Sequence, residues 1–131
     1  MKLLLNTHIW IWALLRPEKL DRRVRRELYK PGNELHLSPV SIWEARQLDR
    51  RKRIRLRQAF PQWLEHVLKE LPVKEAPFTF AVGTEASRIE LPQADLGDVF
   101  IAATASVFDL TLATADSQLL GCSWLKTLAN N

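Results

Sequence analysis

Three short apolar runs in this chain each end on a polar residue, and at each of those residues a helical pattern begins. "KLLLN" (2–6) reads as a buried strand leading into a helix over 8–15. "ELHLS" (34–38) alternates as a strand does and runs into "PVSIWEARQLDRR", where Pro39 suits a first helical position and Ser38 its cap. "LTLATA" (110–115) is a strand that gives way to a short helix at Asp116. The remaining elements are a helix over 18–30 with Leu20, Val24 and Leu28 on one face, an amphipathic helix over 60–71 and an extended segment near Pro72. A helix over 79–88 follows, then an Ala-rich helix opening at Asp98, and "SWLKTL" suits a last strand at the sheet edge. Strand and helix alternating over the whole length predict an α/β fold, a mainly parallel sheet covered by helices on both faces. Sites in such sheets lie beyond the carboxyl ends of the strands, so the polar junctions are where chemistry is expected.

The 131 residues, 47% of them hydrophobic, suit one domain spanning 1–131, and no repeat or Gly/Ser linker divides them. No apolar run approaches the roughly 20 residues of a membrane span, and the start lacks the features of a signal peptide, so a soluble, cytoplasmic protein is expected. The lone cysteine, Cys122, has no disulfide partner and no zinc-site neighbours, which leaves it as a small core residue. The net charge of +4 conceals an asymmetry: residues 1–60 hold 15 Lys/Arg against 6 Asp/Glu, and residues 61–131 hold 4 against 9. Such a basic half suits a polyanion such as nucleic acid; solvated helix faces are the plainer explanation.

Asn6, Ser38 and Asp116 stand at strand ends, Glu44 lies a turn and a half into the helix after Ser38, and Asp98 begins its own helix. Carboxylates brought together there repel one another and, ionised together, call for a cation. Oxygen-only ligands fit Mg²⁺ or Mn²⁺, and the chemistry favoured is metal-assisted phosphodiester hydrolysis. Local explanations compete: Asp98 and Asp116 sit where helix caps sit, Ser41 and Glu44 have the spacing of a capping box, and Asp95 reads as an ordinary turn residue. No phosphate-binding glycine loop, GxSxG elbow or paired metal-ligand histidines occur; His8, His36 and His66 read as half-buried or surface residues. The five tryptophans fall among Leu, Ile and Val at helical intervals, as core or subunit-contact residues do.

"LLLNTHIWIWAL", "LSPVSIWEA", "DLGDVFIAATA" and "LATADSQLL", in this order and over nearly the whole chain, resemble the PIN-domain ribonucleases, specifically the VapC-type toxins of bacterial toxin–antitoxin pairs. The resemblance implies a three-layer α/β/α sandwich whose acidic cluster binds Mg²⁺ or Mn²⁺ and cleaves RNA, usually as a homodimer held inactive by a cognate antitoxin. Carried over by motif, the cluster comprises position 6, Glu44, Asp98 and Asp116, with Thr7 and Thr114 as hydroxyl partners. Glu44 either completes the metal shell or positions the attacking water, and Arg46, Arg50 and Arg53 are candidates for substrate phosphates.

The departure is at position 6, where the family pattern has Asp-Thr and this chain has Asn-Thr. An amide keeps the shape of a carboxylate without its charge, so the fold should survive while metal affinity and turnover fall. An engineered exchange that silences a toxic nuclease is the favoured origin, and a natural loss of activity is the other. A non-catalytic module that binds RNA or an antitoxin through a native Asn6 is the competing function. A receiver or phosphatase fits less well, because it needs the very carboxylate missing after the first strand.

Overall fold

The computed structural model describes residues 1–131 and contains five strands: β1 (Lys2–Leu5), β2 (Glu34–Leu37), β3 (Lys74–Glu75), β4 (Thr111–Thr114) and β5 (Thr127–Ala129). They form one sheet in the order β3-β2-β1-β4-β5, and every pairing is parallel. All carboxyl ends therefore lie on one edge, and β1 is the central strand. The three leucines of β1 explain the two-sided cover: successive side chains point to opposite faces, so Leu3 and Leu5 enter one core while Leu4 enters the other.

The larger core lies under α1 (Thr7–Leu15), α2 (Arg22–Tyr29), α3 (Pro39–Arg50) and α4 (Phe60–Glu70), and centres on Leu3, Leu5, Ile9 and Trp10. The smaller one joins Leu4 and Leu112 to Ile101, Ala102 and Ala105 of α6 (Leu96–Val107) and Leu119 of α7 (Ser117–Leu120). Helix α5 (Phe80–Ala86) packs on α6, whose Ala102 and Ala105 belong to the smaller core. The result is the expected α/β/α sandwich. No helix is long and apolar enough to cross a membrane.

Several boundaries shift, four of them with a cause or consequence for the site; α5 and β4 are also shorter at both ends than the expected 79–88 and 110–115. The helix expected over 18–30 is a 3₁₀ turn at Pro17–Lys19 followed by α2, because Asp21 caps at Val24 N–H and starts a new helix. The last strand is Thr127–Ala129, two or three residues beyond the centre of "SWLKTL". Helix α1 begins at Thr7 and not at residue 8, since Asn6 is its cap. Helix α6 begins before Asp98: Asp95, read above as a turn residue, is its cap and accepts from Asp98 N–H at 2.9 Å. Asp98 is thereby freed from capping duty and stands in the first turn. Trp10 and Trp63 are core residues, one of the two places expected for the tryptophans, and Trp43 and Trp124 are exposed on the single chain. Cys122 is half-buried against the smaller core.

Candidate active site at the carboxyl edge of the sheet

Strands β1, β2 and β4 are neighbours, so the residues that follow them, Asn6, Ser38 and Asp116, are delivered side by side. Each caps the helix it opens. Asn6 accepts from Thr7 N–H at 2.8 Å, Ser38 from Val40 N–H at 3.1 Å, and one oxygen of Asp116 from both Gln118 and Leu119 N–H. For Asp116 this leaves the second carboxylate oxygen unspent, so capping and ligation do not exclude one another.

Two hydrogen-bonded chains meet at Asn6 and Thr7. The Asn6 amide nitrogen donates to Thr114 Oγ1 at 2.9 Å, and the same hydroxyl accepts from Asp116 N–H at 3.0 Å. On the other side Thr7 Oγ1 donates to Glu44 Oε1 at 2.5 Å and lies 2.8 Å from Ser41 Oγ, which orders the protons as Ser41 to Thr7 to Glu44. Asn6, Thr7, Ser41 and Thr114 are all buried. Replacing Asn6 by Asp asks only that the Thr114 hydroxyl turn to donate, so both residues fit this position.

The carboxylates feel one another. Burial raises the Asp98 carboxyl most, the charges of Asp95, Asp116 and Glu44 add to it, and together they push it up to about 6. Burial also raises Glu44, against the opposing hydrogen bond from Thr7. Two residues not foreseen from the sequence support this arrangement. Gly97 lies against Glu44: a Cβ there would stand 2.6 Å from Glu44 Oε2, so glycine leaves the room in which that carboxylate sits. His8 Nε2 accepts from Ala115 N–H at 2.9 Å, and burial lowers its basicity, which keeps the imidazole neutral and able to accept. A glycine before Asp98 and a histidine in the first turn of α1 were visible in the motifs; what they contact was not.

The donor set is all oxygen, faces mutual repulsion and lies on one sheet edge, which fits a hard divalent cation. No three His, Cys, Asp or Glu side chains form a ready ligand group, and the residue that follows the central strand is the uncharged Asn6. Of the expected phosphate contacts, Arg46 is engaged elsewhere: it pairs with Asp49 at 2.9 Å and lies over the Phe60 ring. Arg50 and Arg53 are exposed and pair with no carboxylate.

The raised Asp98 value sets the sign of a pH dependence. A carboxyl at about 6 in the folded chain, against 3.8 unperturbed, favours folding below about pH 4, and this contribution is lost as the pH rises through 6. In EDTA, Asp98→Asn should therefore gain on the parent chain by about 1–2 kcal/mol between pH 4 and pH 7.5, after allowance for solvent screening. Urea denaturation at the two pH values measures it, and a change of opposite sign contradicts the electrostatic assignment.

Comparison with known proteins agrees with this architecture. A protein complex from Rickettsia felis, VapBC2 bound to a DNA fragment from its promoter, includes a chain that superimposes with a TM-score of 0.72 at 18% identity, covering 100% of both chains. VapBC-1 from nontypeable Haemophilus influenzae gives 0.69 at 17% identity over 98% of each chain, and FitAcB from Neisseria gonorrhoeae 0.66 at 24% over 96% of each. At these identities the likeness is one of fold. No curated protein sequence matches the chain. The family model described as PIN domain matches residues 3–121, from the first core leucine through the helix capped by Asp116. With the parallel sheet, the edge cluster and that match in agreement, the chain belongs to the PIN-domain family.

Proposed function

We propose that the chain is the toxin of a type II toxin–antitoxin pair, a VapC-type endoribonuclease dependent on Mg²⁺ or Mn²⁺ and acting in the cytoplasm, with turnover weakened by Asn6. The observation that carries this reading is that hydrogen bonds tie Glu44 and Asp116 to the Asn6–Thr7 junction from either side, while Asp98, raised by burial and then by the charges of Asp95, Asp116 and Glu44, lies close enough to feel them. The antitoxin partner is supported by the structural neighbours, which are VapBC and FitAB assemblies.

In this reading position 6, Asp98 and Asp116 hold the metal, with Glu44 either completing its shell or orienting water. When bound, the ion supplies charge neutralisation at the phosphodiester and lowers the pKa of water. The chain's own groups do the rest. Thr7 fixes one Glu44 oxygen, Gly97 leaves room for the other, and the raised basicity of Glu44 suits it to take a proton from the attacking water. Attack at phosphorus with departure of the 3′ oxygen leaves a 5′-phosphate and a 3′-hydroxyl. Arg50 and Arg53 position the RNA backbone without reading sequence. Thr114 holds position 6 and the Asp116 backbone in register.

A homodimer is part of the proposal. Trp43, Phe78, Phe80 and Leu96 are 64%, 47%, 97% and 71% exposed, and Trp43, Phe78 and Leu96 line a cavity of about 420 Å³ with Glu44 and Asp95 in its wall. A monomer seldom leaves so many large apolar groups on one face, and a second copy of the chain would cover them. The reading of a non-catalytic module with a native Asn6 is the alternative, and it is favoured by the Asn6 amide, whose nitrogen donates to Thr114 and whose oxygen accepts from Thr7 N–H.

Purified chain and its Asn6→Asp variant, each incubated with total RNA and Mn²⁺, separate the two. The variant should cleave and stop in EDTA, while the parent chain is at least about tenfold slower, as expected for loss of a metal-binding charge; no cleavage by either favours the binding module. By light scattering the chain should be a dimer that Trp43→Glu with Phe80→Glu converts to a folded monomer, and a parent chain already monomeric contradicts the assigned face.

A further inference from the structure

Helix α2 carries four arginines in five positions, Arg22, Arg23, Arg25 and Arg26, with the core residue Val24 between them. All four are exposed, and Lys30, which ends the helix, is a fifth exposed cation. None of the five lies within ion-pair distance of a carboxylate; Arg25 donates to the Pro17 carbonyl. The neighbouring acids are occupied. Both Asp21 oxygens accept backbone N–H groups, from Val24 and Asn131, and the buried Glu27 accepts from Asn33 at 2.8 Å. Arg22, Arg26 and Lys30 recur at four-residue intervals and so share one face, where like charges repel and a polyanion would relieve them.

This strip starts at the active edge. Asn130, which follows β5, is buried; its side chain accepts from Asp21 N–H at 2.7 Å and donates to the Lys19 carbonyl at 3.0 Å. Its own N–H donates to the carbonyl of Thr114, whose hydroxyl joins Asn6 to the Asp116 backbone. One residue thus ties the start of α2 to the acidic cluster. From there the helix runs to the opposite edge of the sheet, where Glu34 N–H donates to Met1 O as β2 begins.

We propose that the exposed face of α2 is a phosphate-binding track for single-stranded RNA with one end at the carboxyl edge; that the RNA is cleaved there rests on the function proposed above. The chemistry of the face favours a nucleic-acid backbone over an acidic peptide or a lipid surface. Val24 and Leu28, the aliphatic residues of the helix, are buried in the larger core, and Tyr29 is its one exposed apolar group. A docked peptide uses apolar anchors and an interfacial helix inserts an apolar face, and this face provides neither. Guanidinium groups match pairs of phosphate oxygens, and an exposed tyrosine ring offers an unpaired base a surface for stacking.

Binding is measured with the full chain in EDTA, so that no cleavage intervenes, by fluorescence anisotropy of a labelled single-stranded RNA and by sedimentation with phosphatidylserine vesicles. The RNA should bind, and Arg22→Gln/Arg23→Gln/Arg26→Gln should weaken it roughly tenfold or more. The slope of log affinity against log salt should fall by about 2, as loss of three single-strand phosphate contacts requires. Lys69→Gln/Arg88→Gln/Lys126→Gln removes the same charge from other exposed positions and should leave that slope unchanged, with circular dichroism verifying that both variants fold. Equal losses in the two variants, no RNA binding by the parent chain, or a loss confined to the vesicles overturns the proposal. In the Asn6→Asp chain the arginine variant should raise KM and leave kcat unchanged, and an unmoved KM contradicts a track that serves the edge. Absence of cleavage by Asn6→Asp would remove the nuclease reading and leave the RNA track to stand on its binding result.

Discussion

The site depends on the junction at the end of the central strand, where Asn6 and Thr7 divide their hydrogen bonds between the two halves of the molecule. Asn6 reaches Thr114 and through it the start of α7; Thr7 reaches Ser41 and Glu44 on α3. The backbone does the same work, since Asn6 N–H donates to Ala113 O and its carbonyl accepts from Trp10 N–H. A dipeptide tied in this way fixes where both neighbouring helices begin. The carboxylates of Glu44 and Asp116 are then held on fixed supports on either side of it, and pre-organised donors of this kind are what a metal site or a hydrolytic site requires.

The charge pattern follows from the same geometry. Four of the acidic residues, Glu44, Asp95, Asp98 and Asp116, lie near one another at the carboxyl edge, where burial makes Glu44 and Asp98 costlier to ionise, while the excess basic charge of the first 60 residues lies on exposed helix faces and in the connection after α3. An acidic centre flanked by a cationic surface draws a polyanion to the flank and a cation to the centre. Arg46 is a counterexample within that surface: held by Asp49 and Phe60, it serves the packing of α3 on α4.

Strand and helix types were legible because the periods are clean: alternation in "ELHLS", three buried leucines in β1, an unbroken alanine-rich face in α6. The parallel order followed from their succession. Misplaced helix starts share one cause. Asp95 and Asp98 both suit a cap, and sequence alone does not say which aspartate turns its side chain back to the backbone; Asp95 does, and Asp98 is left for the site. Glu44, Asp98 and Asp116 stood out in the sequence through motif and through their places after a strand or early in a helix, and they remain the proposed site residues. Gly97 and His8 did not, since their roles rest on contacts between residues far apart in sequence, Gly97 with Glu44 and His8 with Ala115. The basic residues were legible as a cluster, but which of them are free depends on partners that only the packing reveals.

The central claim is that this edge is a cation site short of one charge at position 6. Calorimetric titration of Mn²⁺ into the chain and into its Asn6→Asp variant at pH 7.5 tests it without substrate or turnover. The account predicts at least about tenfold tighter binding by the variant, the effect of restoring one carboxylate to an oxygen-donor site. Equal affinities, or no binding by either protein, would contradict it.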